Sequence, residues 1–595
     1  MLFQDLANYF EKLEKTTSRN EITKILSELF KNLSVEEVNV VCYLSLGKLK
    51  PSYESLEFNL AEKMIAELLS RISQKTKEEI NKDFNVMGDW GDLAANLIKR
   101  KTSDLTIKDV YKELLSLAKI EGYGSQEVKI NKLLSLFSHI NSASAKYVLR
   151  VILKKLRLGF SDMTILDALS FMEVGDKSLR KEIEESYNTV ADIGKVASYF
   201  KAKGLKGLKE LSVTPGIPVI PSAAERLPSA EKIFEKIGVC LLEPKIDGFR
   251  LQVHLNKLKT EISDDNPLFA KEEPFIRFFS RNLEDMTGMF PEIKDVVSKI
   301  DCESLIIEGE AVAFNHKNNR FLPFQLTISR KRKYDIQEKS TELPLTLFVF
   351  DLLYLNGKSY INESLIERRK ILAELIPENV NSLQLIPQQK AVSVQDISKY
   401  FLEKKKAGLE GIMAKVPDSY YEAGSRGFHW IKYKREESQG LEDSIDVVVL
   451  GYYYGQGKRT SFGIGALLVG VYNKKGEIFE SIAKIGTGIK DEEFITIKKD
   501  CDLLKRKLPP KNVIVPKALI PDVWVEPQIV AVILSDEITR SPLHAAGASK
   551  DGKGYALRFP RLTTWQRKDK SIYDITTVSE IERLYQNQNR KSSKN

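Results

Sequence analysis

Cysteine is scarce in this chain: Cys42, Cys240, Cys302 and Cys501 are the only four in 595 residues. No Cys-x-x-Cys pair exists, which excludes a zinc ribbon, and the wide spacing disfavours a disulfide framework and fits a reducing compartment. Long apolar runs are also missing. The longest, around Leu345–Leu355, is too short to span a bilayer. The N-terminus, MLFQDLANYFEKLEK, carries acidic residues where a signal peptide needs an unbroken apolar core. Its Leu2, Phe3, Leu6, Ala7 and Phe10 fall on one helical stripe instead, so a cytoplasmic protein without a signal peptide and without membrane contact is expected. Internal repeats and long low-complexity segments are absent. Charge is only mildly one-sided, with 91 Lys plus Arg against 82 Asp plus Glu and a formal net charge of +9, which suits a polyanionic partner without requiring one. What is present is core material: 42% hydrophobic and 29% charged residues. At roughly 150 residues per domain, the length predicts about three or four domains.

The texture changes along the chain. Residues 1–212 read as successive helices; Ala143–Leu158 places Ala145, Val148, Leu149, Ile152, Leu153 and Leu156 at helical spacing. Its other face carries Lys146, Arg150, Lys154, Lys155 and Arg157 and reads as a solvated basic surface. The Gly/Ser break at Glu121–Gln126 reads as a turn before a helix. Residues 213–229 hold four prolines, which remove backbone donors and predict an extended linker. Strand patterns follow at Val239–Leu242, Leu251–Leu255, Leu305–Phe314, Leu345–Leu355 and Phe428–Lys434, separated by helical stretches. From about residue 440 the chain is strand-rich and punctuated by glycine, predicting a small antiparallel barrel. The last ten residues, 586–595, are polar and read as a frayed tail.

The sharpest local feature is Glu243–Arg250, EPKIDGFR, with a strand running in and another running out. Lys245 then stands at a strand end, where an ordinary loop lysine paired with Asp247 competes with a nucleophilic amine. Its neighbours decide. Downstream come Ser280-Arg281-Asn282, Glu308-Gly309-Glu310, Phe350-Asp351, Glu410 through Lys415 (EGIMAK), and Trp430 through Lys434 (WIKYK). Alternation puts Trp430, Lys432 and Lys434 on one strand face, and two like charges there call for an anion between them. The Gln456-Gly457-Lys458 triplet is not a P-loop, because Tyr452 stands where its first glycine is required.

This ordered set resembles the covalent nucleotidyltransferases, and within them the ATP-dependent DNA ligases of archaeal and eukaryotic replicative type. The resemblance runs through KYVLRVILKKLRLGF, PFQLTISRKRK, FVFDLLYLNGK and EGIMAKVPDSYYEAGSRGFHWIKYK to LRFPRL and RKDK. It implies a multidomain fold: an all-α DNA-binding domain (1–212), the linker (213–229), an α/β adenylation domain (230–437), an all-β OB-fold barrel (438–585) and the tail (586–595).

The same resemblance implies roles. Lys245 would take AMP from ATP, with Glu243 at the adenine edge, Phe350 stacked on the base, and Arg250, Arg281 and Glu310 beside ribose and α-phosphate. Arg426, Lys432 and Lys434 would meet the phosphates. Glu310 and Glu410 would position Mg²⁺, with Mn²⁺ a substitute; which of the two ligates directly is left open. Nicked double-stranded DNA is the implied partner, touched by Phe324, Arg330, Arg332 and Phe559, and by Lys154 and Arg157 of the helical region. Arg558, Arg567 and Lys570 would orient the leaving pyrophosphate. A monomer is implied. The linker departs from the family's usual Arg-Pro-Met-Leu-Ala run, and no sliding-clamp motif of Gln-x-x-aliphatic-x-x-aromatic-aromatic type is seen. The 210-odd helical residues count against a capping guanylyltransferase or RNA ligase, and the missing cysteine quartet against an NAD-dependent ligase. A catalytically dead scaffold would be expected to have lost some of Lys245, Glu310, Glu410, Lys432 and Lys434. Preference among ATP, ADP and GTP is not legible.

Overall fold

A computed structural model describes the chain except residues 17, 55, 157, 263–271, 319, 323–325, 328–329, 331–339, 378–379, 435–443, 456, 550, 568 and 594–595. It divides into two units, Met1–Lys434 and Arg435–Asn595. No helix among the described residues is long and apolar enough to cross a membrane.

The first unit opens with helices from Phe3 to Leu208. Their starts are written locally: Ser34 accepts from the Glu37 amide while the Glu37 carboxylate accepts from the Ser34 amide, and Thr76 with Glu79 and Thr106 with Asp109 repeat the device. Each satisfies two backbone donors that a helix start leaves unpaired. The N-terminal stripe is buried as expected, through Phe3, Leu6, Ala7, Phe10 and Leu13.

The basic helix ends sooner than its periodicity suggests. It spans Ser142–Ile152, and Lys154 follows with φ +53°. Nor is its polar face solvated throughout. Arg150 is 3% exposed, donating to Glu14 at 2.9 Å, Asp89 at 3.1 Å and Asp92 at 3.1 Å, while Lys146 pairs with Glu14 and Asp92 at 2.9 Å each. Arg150 ties three helices together, because a guanidinium has enough donors to serve three carboxylates at once.

Residues 213–228 are not a free tether. Val219 is buried, its N–H donating to Gln252 Oε1 (2.8 Å) and its carbonyl accepting from Gln252 Nε2 (3.1 Å). Gly216 N–H donates to His254 Nδ1 (3.0 Å), which leaves the imidazole proton on Nε2 to be donated to Gln252 Oε1 (2.9 Å). The prolines remove donors; of those that remain, Gly216 and Val219 are served by the adjoining sheet, Ile217 by the Thr214 carbonyl and Ile220 by the Asn188 carbonyl of the helical region.

Two sheets follow. One orders its strands Ala223–Arg226, Arg426–Lys434, Gly411–Lys415, Cys240–Lys245 and Gln389–Ala391. The other runs Glu272–Ser280, Phe249–Ile262, Ser304–Asn315, Leu345–Leu355 and Lys358–Ser359, with short strands Arg320–Phe321 and Leu383–Leu385 at its side. The strands expected around the EPKIDGFR turn are there, longer than predicted. Glu272–Ser280 and Gly411–Lys415 went unread because charged or small residues break their alternation.

The second unit is β-rich. Its central strand, Ile445–Tyr453, is buried along nearly its whole length and pairs antiparallel with Ala466–Asn473, Val523–Val525 and Val530–Leu534. One pairing, Ile478–Ile485 with Val513–Ile514, is parallel. Of the polar C-terminal stretch, the residues up to Ser593 belong to the helix Val578–Ser593.

His254 generates a pH prediction. Complete burial pushes its pKa down to about 3, whereas in the unfolded chain it titrates near 6.5. The unfolded state therefore binds the extra proton, and stability present above pH 6.5 is lost as pH falls towards 3, by at most about 1.4 kcal/mol per pH unit from this group. Urea unfolding measured over that range should show the slope, and His254→Gln should flatten it.

Candidate active site

Strand register assembles the site. Gly411 lies opposite Lys245 on one side and Lys434 on the other; Met413 lies between Glu243 and Lys432, and Lys415 opposite Trp430. Residues two apart share a face, so Glu243, Lys245, Met413, Lys415, Trp430, Lys432 and Lys434 project together and line one cavity of about 440 Å³. Glycine is required at 411, since a Cβ there would stand 2.1 Å from the Tyr433 carbonyl oxygen. The opposite wall comes from the second sheet through Arg250, Glu310 and Phe350, and from Arg281 on the turn after Ser280.

The turn Ile246–Gly248 joins the two sheets. Gly248 N–H donates to Glu310 Oε1 at 3.1 Å, and a Cβ at 248 would lie 2.4 Å from the Ala311 carbonyl oxygen. The Lys-x-Asp-Gly glycine is thus a contact requirement and not only a turn preference.

Glu410, just before Gly411, bonds to Lys245 Nζ with one carboxylate oxygen and to Lys434 Nζ with the other. This carboxylate is an anion between the strand-end cations. Burial pushes its pKa up, but the two ammoniums outweigh that and hold it below the usual carboxylate range. Glu310 behaves oppositely. Burial raises its pKa to about 7, against the pull of Lys245, Arg250 and the Gly248 amide. The site therefore holds one firmly ionised carboxylate and one that exchanges a proton near neutrality.

Glu243 is 1% exposed and pairs at 2.7 Å with Lys415, also 1% exposed, while Gln388 Nε2 donates to it at 2.9 Å. The Lys415 ammonium lies 4.3 Å from the Trp430 ring centre and 4.8 Å from that of Phe350. Phe350 meets Trp430 edge-on with centroids 5.9 Å apart. Arg250 donates to Glu308 at 2.7 Å and stays charged despite burial because of that carboxylate. Asp351, quoted in its motif without a role, receives Arg368 through both oxygens, at 2.6 and 3.1 Å, with both residues fully buried.

Lys415, Gln388 and Glu308 were missed as site components. Lys415 ends the EGIMAK motif, and it is the pairing of its strand with Cys240–Lys245 and Arg426–Lys434 that puts it on the cavity face. The others depend on long-range pairing that no local pattern carries.

The remaining expected residues lie in varied settings. Arg330 is 3% exposed and donates from Nη2 to Glu292 (2.8 Å) and the Met289 carbonyl (3.1 Å), while its buried Nε and Nη1 have no hydrogen-bond partner among the described residues; this corrects its expected contact with DNA, because a side chain this buried does not present its guanidinium to a phosphate at the surface. Phe324, Arg332 and Arg157 lie outside the described residues, and of Arg426 only the backbone, opening its strand, is described. Lys154 is exposed and pairs with Glu57 at 2.5 Å. In the second unit, Phe559 is 61% exposed at φ +51°, with Arg558 over its ring at 5.1 Å. Arg567 pairs with Asp569 at 2.6 Å, and Lys570 with Asp446.

Three family models match successive parts of the chain: "DNA ligase N terminus" over residues 2–170, "ATP dependent DNA ligase domain" over 267–434, and "ATP dependent DNA ligase C terminal region" over 460–570. A "Probable DNA ligase" of Dictyoglomus turgidum is 43% identical over 593 residues, covering 99% of this chain and 98% of that protein. "DNA ligase 2" of Korarchaeum cryptofilum is 37% identical, with coverage of 99% and 98%. A solved structure, "Pmar-Lig_PreS3", aligns with a TM-score of 0.51 and 18% identity over 94% of this chain and 98% of that one, a likeness of fold.

The buried pair predicts a stability pattern. Lys415→Met should cost about 3 kcal/mol in urea unfolding, because Glu243 is left buried with its charge unmatched, whereas adding Glu243→Gln should recover most of the loss.

Proposed function

The chain belongs to the ATP-dependent DNA ligase family, and on that premise we propose that Lys245 is the residue to which AMP becomes attached. One observation carries the reading: a lysine amine and further cations line one cavity that has an aromatic ring in its wall, and one carboxylate bonds two of those lysines.

The neutral lysine amine is the nucleophile. Its nitrogen bonds to the α-phosphorus of ATP as the bond to the β-phosphate oxygen breaks; the electron pair leaves with pyrophosphate, and a proton leaves the nitrogen for solvent. Before ATP binds, Glu410 fixes the position of Nζ. Charge builds on phosphate oxygens during this displacement, and Lys432 and Lys434, on the cavity face of their strand, are the cations that stabilise it, Lys434 exchanging Glu410 for phosphate. Phe350 and Trp430 offer apolar walls to the base, Glu243 borders its edge, and Arg250 and Arg281 face the sugar and α-phosphate. AMP then passes to the 5′-phosphate at a nick in duplex DNA, and the 3′-hydroxyl displaces it to seal the strand.

Among the described residues no group of three or more His, Cys, Asp or Glu side chains forms a ready-made metal site. The donors at hand, Glu310 and Glu410, are hard oxygens, which fit Mg²⁺ held by one or two carboxylates together with substrate phosphates. Bound there, the ion would supply charge neutralisation to the transferring phosphoryl group. Mn²⁺ would be accommodated by the same donors.

The three-region division, with the β-rich second unit as an OB-fold, belongs to this reading, as does action as a monomer. So do DNA contacts by Lys154, Phe559 and the residues outside the described set, and pyrophosphate orientation by Arg558, Arg567 and Lys570. The exposed Phe559 ring suits an apolar wedge in the minor groove.

Two outcomes are expected. With ATP labelled on its α-phosphate, the parent protein should take up label and release it as a nicked duplex closes, and Lys245→Ala should take up none; undiminished labelling would remove Lys245 from the chemistry. Lys434→Ala should slow single-turnover adenylate transfer by about 100-fold while nick affinity, read by gel shift, changes by less than about threefold.

A further inference from the structure

Tyr421 is 3% exposed and carries no role in the chemistry just described. Its hydroxyl donates to Glu308 Oε2 at 2.9 Å and accepts from the Ser222 amide at 2.9 Å. The same Glu308 oxygen receives Arg250 Nη2 at 2.7 Å, and the other oxygen receives Gln252 Nε2 at 3.3 Å. Arg250 Nη1 donates to the Ser222 carbonyl at 2.7 Å. Two of the three guanidinium nitrogens are therefore spoken for, while Nε, buried, has no hydrogen-bond partner among the described residues. The guanidinium carbon lies 5.5 Å from the Phe350 ring centre and 5.6 Å from that of Trp430, in the cavity wall. Tyr421 meets Trp430 edge-on, with centroids 5.9 Å apart.

We propose that Tyr421 is a positioning residue that, through Glu308, directs Arg250 at the nucleotide and leaves the Arg250 Nε–H as the donor the ligand receives. Glu308 Oε2 has two lone-pair directions, one taken by Arg250 and one by the Tyr421 hydroxyl. Without the hydroxyl the carboxylate is held only by Arg250 itself and by the longer bond from Gln252, and Ser222, whose carbonyl holds the other branch of the guanidinium, loses the acceptor of its amide. Arg250 would keep its charge and lose its direction. A mispositioned donor forfeits stabilisation in the transition state even when binding persists.

The inference rests on the cavity taking ATP, and a four-protein comparison tests it: full-length parent, Y421F, R250K and the double variant. The readout is single-turnover transfer of α-labelled AMP from ATP to protein, with unfolding midpoints recorded alongside. Y421F should lower the maximal rate about tenfold, the loss of one charge-assisted hydrogen bond, with half-saturating ATP changed less than about threefold. If Tyr421 acts through Arg250, the double variant should be slower than R250K by less than about twofold. Rates that multiply in the double variant, a Y421F protein as fast as the parent, or an R250K protein as fast as the parent would each overturn the proposal. Should Y421F fail to fold, E308Q with and without R250K makes the same comparison. Failure of the underlying reading is seen separately, as a parent protein that takes no label from ATP.

Discussion

The site depends on the strand Gly411–Lys415 lying between two others in one register. With Gly411 opposite both Lys245 and Lys434, the residue before it, Glu410, is delivered between two lysines that come from segments far apart in sequence. Its carboxylate bonds both. A one-residue slip would turn every cavity-facing side chain of that strand to the opposite face. The tight fit of Gly411 against the Tyr433 carbonyl guards that register, since any side chain would force the strands apart.

Burial then separates groups that sequence makes look alike. Glu310 and Glu410 are both glutamates beside Lys245, yet one lies on an interior strand of its sheet and the other at a strand end flanked by two ammoniums. Desolvation wins at the first and ion pairing at the second. Glu243 and Lys415 show a third outcome, in which mutual pairing keeps two charges where neither could stand alone. The same logic operates in the helical region, where Arg150 is enclosed because three carboxylates surround it.

The connector between the helices and the strands takes part in this arrangement. Its backbone is received by Gln252, His254, Arg250 and Tyr421, all rooted in or beside the sheet walls. Ala223–Arg226 continues it as a strand parallel to Arg426–Lys434, so the proline-rich stretch forms part of the wall and of its support.

The sequence by itself determined the helical opening, the strand–turn–strand around Lys245, the shared face of Trp430, Lys432 and Lys434, and the ordered motifs of the ligase family. These are local: periodicity, turn residues and spacing are carried within a few residues of each other. Tertiary structure alone decided that Arg150 and Arg330 are buried, that residues 213–228 are held and not loose, and that Glu308, Gln388 and Tyr421 stand behind the cavity. Each of these turns on which distant carboxylate, amide or hydroxyl comes within about 3 Å. The intervening pairings reach across separations such as the 199 residues between Ser222 and Tyr421, and a charged residue reads the same in a sequence whether its partner is water or a buried counter-ion.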